Sequence, residues 1–115
     1  MTKTKRETIH EALRHMGVID HGDAAPADEY ERCSKHYDTI LDQLDELDEV
    51  AVSFTSNAVP EWAFTPLAMM VAGSVCTGFE LPQFRGEYQR GLRAFRRYAA
   101  HEAHVEGRPV RTVYY

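Results

Sequence analysis

Cysteine is scarce in this chain of 115 residues, with only Cys33 and Cys76 present. Two cysteines make neither a disulfide framework nor a paired metal motif, and their apolar neighbours mark both as buried, reduced thiols. No glycine-rich run forms a phosphate loop, because Gly73, Gly78, Gly86 and Gly91 are spread through helices and turns. Ser53, Ser56 and Ser74 lack the context of a nucleophile elbow. The opening MTKTKRETIH has no apolar signal core, so nothing argues for secretion and reduced cytosol is the expected compartment. A net charge of −5 gives no general attraction to nucleic acid or to an anionic membrane. The most apolar stretch, from Trp62 to Val75, runs about fourteen residues and is interrupted by Thr65, Pro66 and Gly73. A membrane span needs about twenty predominantly apolar residues. The stretch is expected to be a buried helix, with no membrane partner.

What remains is the composition of one ordinary globular domain, 43% hydrophobic and 27% charged. Thr4 and Glu7 have the spacing of a capping box, and Ile9, Ala12, Leu13 and Met16 form one apolar helical face that Gly17 ends. Residues 18 to 25 read as a loop. Pro26 suits the first turn of a second helix, whose stripe is Tyr30, Cys33, Tyr37, Ile40, Leu41, Leu44 and Leu47. Its other face is acidic: Asp38, Asp42, Asp45, Glu46, Asp48 and Glu49. Carboxylates near a helix C-terminus oppose the macrodipole, so a basic partner would explain them.

The segment VAVSFTS, residues 50 to 56, reads as an extended connector, since a lone strand is not stable in water. Ser56 or Asn57 can cap a third helix with Pro60 in its first turn, and Pro66 is expected to kink or divide that helix. Leu67, Met70, Val71, Ser74 and Val75 make its inward stripe, with Gly78 as terminator. It is apolar nearly all round, so other helices must cover it on more than one side. A fourth helix, from 83 to about 104, buries Phe84, Tyr88, Leu92 (or Gly91), Phe95 and Ala99. The tail EGRPVRTVYY cannot continue it. The expectation is an all-α, small four-helix bundle over 1–105, with a proline-kinked central helix and an extended C-terminal arm over 106–115.

The chemical signals are thin. His101 and His104 in HEAH stand at i, i+3, whereas a helical zinc protease site needs i, i+4 with Glu directly after the first His. His10, His15 and His36 read as surface residues. The carboxylates from Asp38 to Glu49 lack the loop glycine and alternating ligands of a calcium loop. Met69 and Met70 read as core filler. No catalytic residue, metal or cofactor is expected. The fourth helix carries Arg85, Arg90, Arg93, Arg96 and Arg97, five arginines in thirteen residues. They can bind a phosphate backbone, or pair with the acidic face of the second helix within or between chains. The acidic balance and the lack of aromatic interleaving on that face favour pairing. Asp38, Asp42, Asp45 and Glu46, with Arg90, Arg93, Arg96 and Arg97, are therefore the candidate subunit interface. Tyr114 and Tyr115 on the arm suit pockets of a partner, or strand addition to one.

Three segments in order carry a resemblance: ETIHEALRHMGVIDHGD, YDTILDQLDEL and AVPEWAFTPLAMMVAGSVCTGFEL, together residues 7 to about 84. The first resembles an opening helix with an A-L-R core followed by G-V and a polar loop. The third resembles a segment of the form P-x-W-A-x-x-P-L. Together they resemble the head-to-tail adaptor family of short-tailed phages, also called packaged-DNA-stabilisation or tail accessory proteins. The resemblance implies a structural virion protein and not an enzyme. Such a protein binds the portal as a ring, twelve-fold in the known architecture, extends the DNA channel, helps retain packaged DNA and offers a platform for tail or nozzle proteins. DNA would pass through without sequence-specific binding. It implies assembly in the host cytoplasm and a final place in the neck of the virion. Val59, Trp62, Phe64, Leu67, Met70 and Val71 would centre the bundle, with Leu13, Leu41, Leu44 and Phe95 around them. The arm, Arg108, Pro109, Val110, Arg111, Thr112, Val113, Tyr114 and Tyr115, would as a region reach the portal. The chain is shorter than many relatives, with a compact arm in place of a long extension. The competing readings are a small helical nucleic-acid-binding regulator using the fourth helix and, more remotely, a metal-dependent enzyme at the histidines.

Overall fold

The computed structural model describes residues 2–20, 22–46 and 57–105, and for Glu46 and residues 102–105 the backbone alone. These residues form four α-helices: α1 (Lys5–His15), α2 (Ala27–Glu46), α3 (Glu61–Val75) and α4 (Gly86–Val105). The all-α class is therefore what the chain adopts. The connector 50–56, Leu47, Asp48, Glu49 and the arm 106–115 lie outside the described residues.

Local chemistry accounts for the first helix. The Thr4 hydroxyl accepts from Glu7 N at 3.1 Å while the Glu7 carboxylate accepts from Thr4 N at 3.1 Å, a complete capping box. At the other end Gly17 takes φ +76°, its N–H reaching the Arg14 carbonyl at 2.9 Å. Val18 N reaches the Leu13 carbonyl at 2.9 Å. That pair of bonds is the Schellman stop, and it needs a residue that tolerates left-handed backbone. Between the caps, Ile9, Ala12 and Leu13 are fully buried. In α2, Cys33, Tyr37, Ile40 and Leu44 are buried and Leu41 is half-buried against the same core. Pro26 stands just before α2, its carbonyl accepting from Tyr30 N at 2.9 Å.

Helix α3 is the centre. It packs most extensively on α4, then on α1, then on α2. Val59, Ala63, Leu67, Met70, Val71, Ala72 and Cys76 have no exposed surface, and Trp62 and Phe64 are half-buried against the core. The segment Glu61–Phe79 is by length and composition apolar enough to cross a membrane. Here three other helices cover it.

Contrary to the expected division, α3 runs unbroken through Pro66, which is buried. Proline removes the bond to the Trp62 carbonyl, and the surrounding packing outweighs that loss. The cap also differs. Pro60 occupies the N-cap position with no side-chain bond, and Asn57 Oδ1 instead accepts from Lys5 N at 3.4 Å, serving the start of α1. A two-residue antiparallel ladder, β1 (Thr2–Lys3) on β2 (Val59–Pro60), joins the same two places, at neither of which the sequence predicts a strand.

The end of α3 departs from expectation as well. A 3-10 turn, Cys76–Phe79, continues it past Gly78, and the left-handed stop is Glu80 at φ +60°. Glu80 N bonds the Thr77 carbonyl at 3.1 Å and Leu81 N the Cys76 carbonyl at 2.9 Å. The Gly78 carbonyl is taken by Arg32 of α2 at 3.0 Å. A second 3-10 turn, Pro82–Phe84, leads into α4, which therefore begins at Gly86.

Two glycines let α3 and α4 approach. An added Cβ at Gly91 would lie 2.6 Å from the Pro66 carbonyl oxygen, and one at Gly73 would collide with the Tyr88 backbone nitrogen. Each helix contributes one glycine facing the other's backbone. Trp62 and Phe95 extend the contact, their ring centroids 5.2 Å apart.

Candidate functional site

The charged faces of α2 and α4 are the most distinctive surfaces, and both follow from helical spacing. On α2, Asp38, Asp42 and Asp45 fall at steps of four and three residues, and all are exposed. On α4, Arg90, Arg93 and Arg97 fall at steps of three and four, and all are exposed. Their counterparts on the same helices are apolar and face α3, which turns the two charged faces away from the core. Helices α2 and α4 both pack on α3 and make no extended contact with each other.

The structure divides the candidate interface residues into groups. Asp38 is bound within the chain, its Oδ1 2.9 Å from Lys5 Nζ. Arg90 is bound to Glu87 one turn earlier at 2.9 Å. Arg96 is half-buried, and the Glu46 side chain lies outside the described residues. Asp42, Asp45, Arg93 and Arg97 have no ionic partner among the described residues.

One residue of this surface escaped the sequence reading. Tyr98 is 41% exposed, an apolar ring left on the outside of α4, and the Arg97 guanidinium lies over it at 5.2 Å. An aromatic therefore does accompany the arginines. Its signal was its place beside the buried stripe, which continues from Phe95 to Ala99 and skips it.

The histidines are not the uniform surface set expected. His10 is buried, its Nε2 accepting from Ala25 N at 3.1 Å. That bond fixes the proton on Nδ1, which donates to the Arg6 carbonyl at 2.7 Å. His10 thus pins the loop before α2 onto α1. His15 Nε2 reaches Glu87 Oε2 at 2.9 Å and ties α1 to α4. Desolvation raises the Glu87 carboxyl, but the hydrogen bonds from His15 and Arg90 outweigh it and hold the group below its ordinary value of 4.5. His36 and His101 are exposed. Among the described residues no three His, Cys, Asp or Glu side chains gather where they could hold a metal.

Other groups are committed to structure. Cys33 and Cys76 are buried and free, and desolvation pushes the Cys33 thiol up to about 11. Burial also raises the Tyr37 phenol, which hydrogen-bonds Thr8. Thr8 Oγ1 gives its own proton to the Thr4 carbonyl at 3.0 Å, so the phenol is the donor. A shallow depression of about 350 Å³ over α1 is lined by Lys3, Arg6 and Arg14 with Phe64. Acids answer two of these bases, Glu7 lying 4.0 Å from Lys3 and Glu11 3.6 Å from Arg14, while Arg6 lies over the Tyr30 ring at 5.7 Å.

The proposed portal-binding arm, Arg108 to Tyr115, lies outside the described residues. No family model, no curated protein and no solved structure matches the chain.

Proposed function

We propose that this chain is a structural assembly protein, the head-to-tail adaptor of a phage particle. It binds a portal as a ring, extends the DNA channel and carries the tail or nozzle proteins. The observation that carries the reading is the pair of oppositely charged helix faces on different sides of α3, whose central charges no described residue of the same chain neutralises. A repeating subunit needs two complementary surfaces, and this small domain offers them. The segments that resemble the adaptor family are also those that supply α1, α2 and α3 around the core. The arm 106–115 is the device assigned to the portal.

The test is light scattering after size exclusion, on the full chain and on a chain ending at Glu106, each with and without a purified portal ring. Full-length protein joining the portal in rings, with the truncated chain failing, is the expected result. A chain that ignores the portal with or without its arm overturns the reading.

A second reading has one observation in its favour. Tyr98 beside Arg97 gives the α4 face an aromatic among its cations, as single-stranded nucleic-acid surfaces have. Against it stands the net charge of −5. Salt-sensitive binding of the full chain to DNA, lost in Arg93→Glu, would favour this regulator over the adaptor.

A further inference from the structure

We infer that copies of this chain dock α2 of one onto α4 of the next in antiparallel orientation, with Asp42 opposite Arg93 at the centre. The inference deepens the adaptor reading by naming its lateral contact, yet the contact itself requires only two copies and no portal.

The register comes from spacing. Along α2 the carboxylates step from Asp38 by four residues to Asp42 and by three to Asp45. Along α4, read backwards, the guanidiniums step from Arg97 by four to Arg93 and by three to Arg90. The two ladders match step for step only when the helices run in opposite directions. Each ladder covers seven residue-to-residue steps, about 10 Å at 1.5 Å per step. The pairs are then Asp38 with Arg97, Asp42 with Arg93 and Asp45 with Arg90. Antiparallel docking also sets the macrodipoles head to tail, with the acidic C-terminal half of α2 beside the early turns of α4.

Internal partners distinguish the centre from the ends. Lys5 already holds Asp38, and Glu87 already holds Arg90, so the outer pairs join existing networks. Asp42 and Arg93 have no ionic partner of their own among the described residues, and each gains one. Tyr98 flanks the ladder and supplies the apolar area that ion pairs lack. Exposed pairs each contribute little, so the ladder fixes register and partner choice more than affinity. Because the two faces lie on different sides of α3, a docked copy still presents one face of each sign. Association therefore repeats head to tail, as a ring requires.

The test uses the full chain at low ionic strength, with mass measured by light scattering against the 13.1 kDa monomer. Wild-type protein is expected to exceed the monomer mass, and its association is expected to weaken about tenfold or more as salt shortens the screening length. Asp42→Arg alone and Arg93→Asp alone are each expected to remain monomeric. Mixing the two single variants, or combining both changes in one chain, is expected to restore association. Thermal melts of both variants at high salt, where association is screened for every form, should match wild type, because both side chains are exposed. Single variants that associate like wild type, or a mixture that stays monomeric, overturn the inference. Portal capture is read separately. Association that follows the charge swaps while the portal is ignored removes the adaptor and keeps the contact. Portal rings that form regardless of the swaps do the reverse.

Discussion

At the scale of single residues, two glycines and one glutamate carry more of the fold than their size suggests. In an exposed helix, Gly→Ala stabilises by about 1 kcal/mol. At Gly91 the new methyl would meet the Pro66 carbonyl oxygen at 2.6 Å, and such overpacking costs about 1–3 kcal/mol or more. Strain wins, so Gly91→Ala is expected to lower unfolding free energy in denaturant titration by about 1–2 kcal/mol, and an unchanged or higher midpoint would contradict the close approach. Glu80 presents the opposite case. It is exposed and sits at φ +60°, where an L side chain costs roughly 1 kcal/mol. Glu80→Gly should therefore stabilise by about 0.5–1 kcal/mol while Glu80→Ala stays near neutral. Equal melting shifts for the two would rule out backbone strain as the cause. The sequence hid this stop, because Gly78 stands two residues earlier and is the better left-handed residue in isolation. What displaced it is tertiary, since Arg32 takes the Gly78 carbonyl from the side.

Helices were legible wherever their own caps and stripes determine them. The Thr4–Glu7 box, the Gly17 stop and the stripe Ile9–Met16 are local patterns, and the structure contains all three. Contacts between elements were not legible, since they depend on which backbone atoms meet after packing. His10 is buried because Ala25 N finds it across a loop, Asn57 serves α1 and not α3, and Pro66 stays inside a helix held on three sides. The same holds for the charged faces: their helical spacing could be read, but Lys5 on Asp38, Glu87 on Arg90 and the outward Tyr98 could not. One such tie between elements has a pH signature. Glu87 is depressed in the folded state, so its contribution is present above its ordinary value of 4.5 and is lost as pH falls through the lower folded value. Glu87→Gln is expected to cost about 1–2 kcal/mol at neutral pH, the scale of charge-assisted bonds, and to cost little once wild-type Glu87 is protonated. A penalty that is the same at both ends of the pH range would show that packing, not charge, joins α1 to α4 through His15.

For the whole molecule, α3 touches every other helix, and α1 and α2 meet each other far less than α1 meets α3. Stability is therefore expected to be one cooperative quantity. Cys33 on α2 and Cys76 beyond α3 are both fully buried, so a thiol reagent should label them at a common rate set by global opening. Markedly faster labelling of Cys33 would show α2 detaching by itself. The ladder of Lys3 on Val59 has a further meaning for a chain that is made one residue at a time from its N-terminus. When the ribosome has produced α1 and α2, their apolar stripes have formed but the helix that covers them does not yet exist. The first strand must wait, unpaired, for a partner more than fifty residues behind it. Through that interval the nascent chain is a pair of amphipathic helices with nothing to bury against, the condition in which chaperones and aggregation compete for a polypeptide. The third helix ends that interval for the first two, and the fourth ends it for the third, whose most extensive contact it makes.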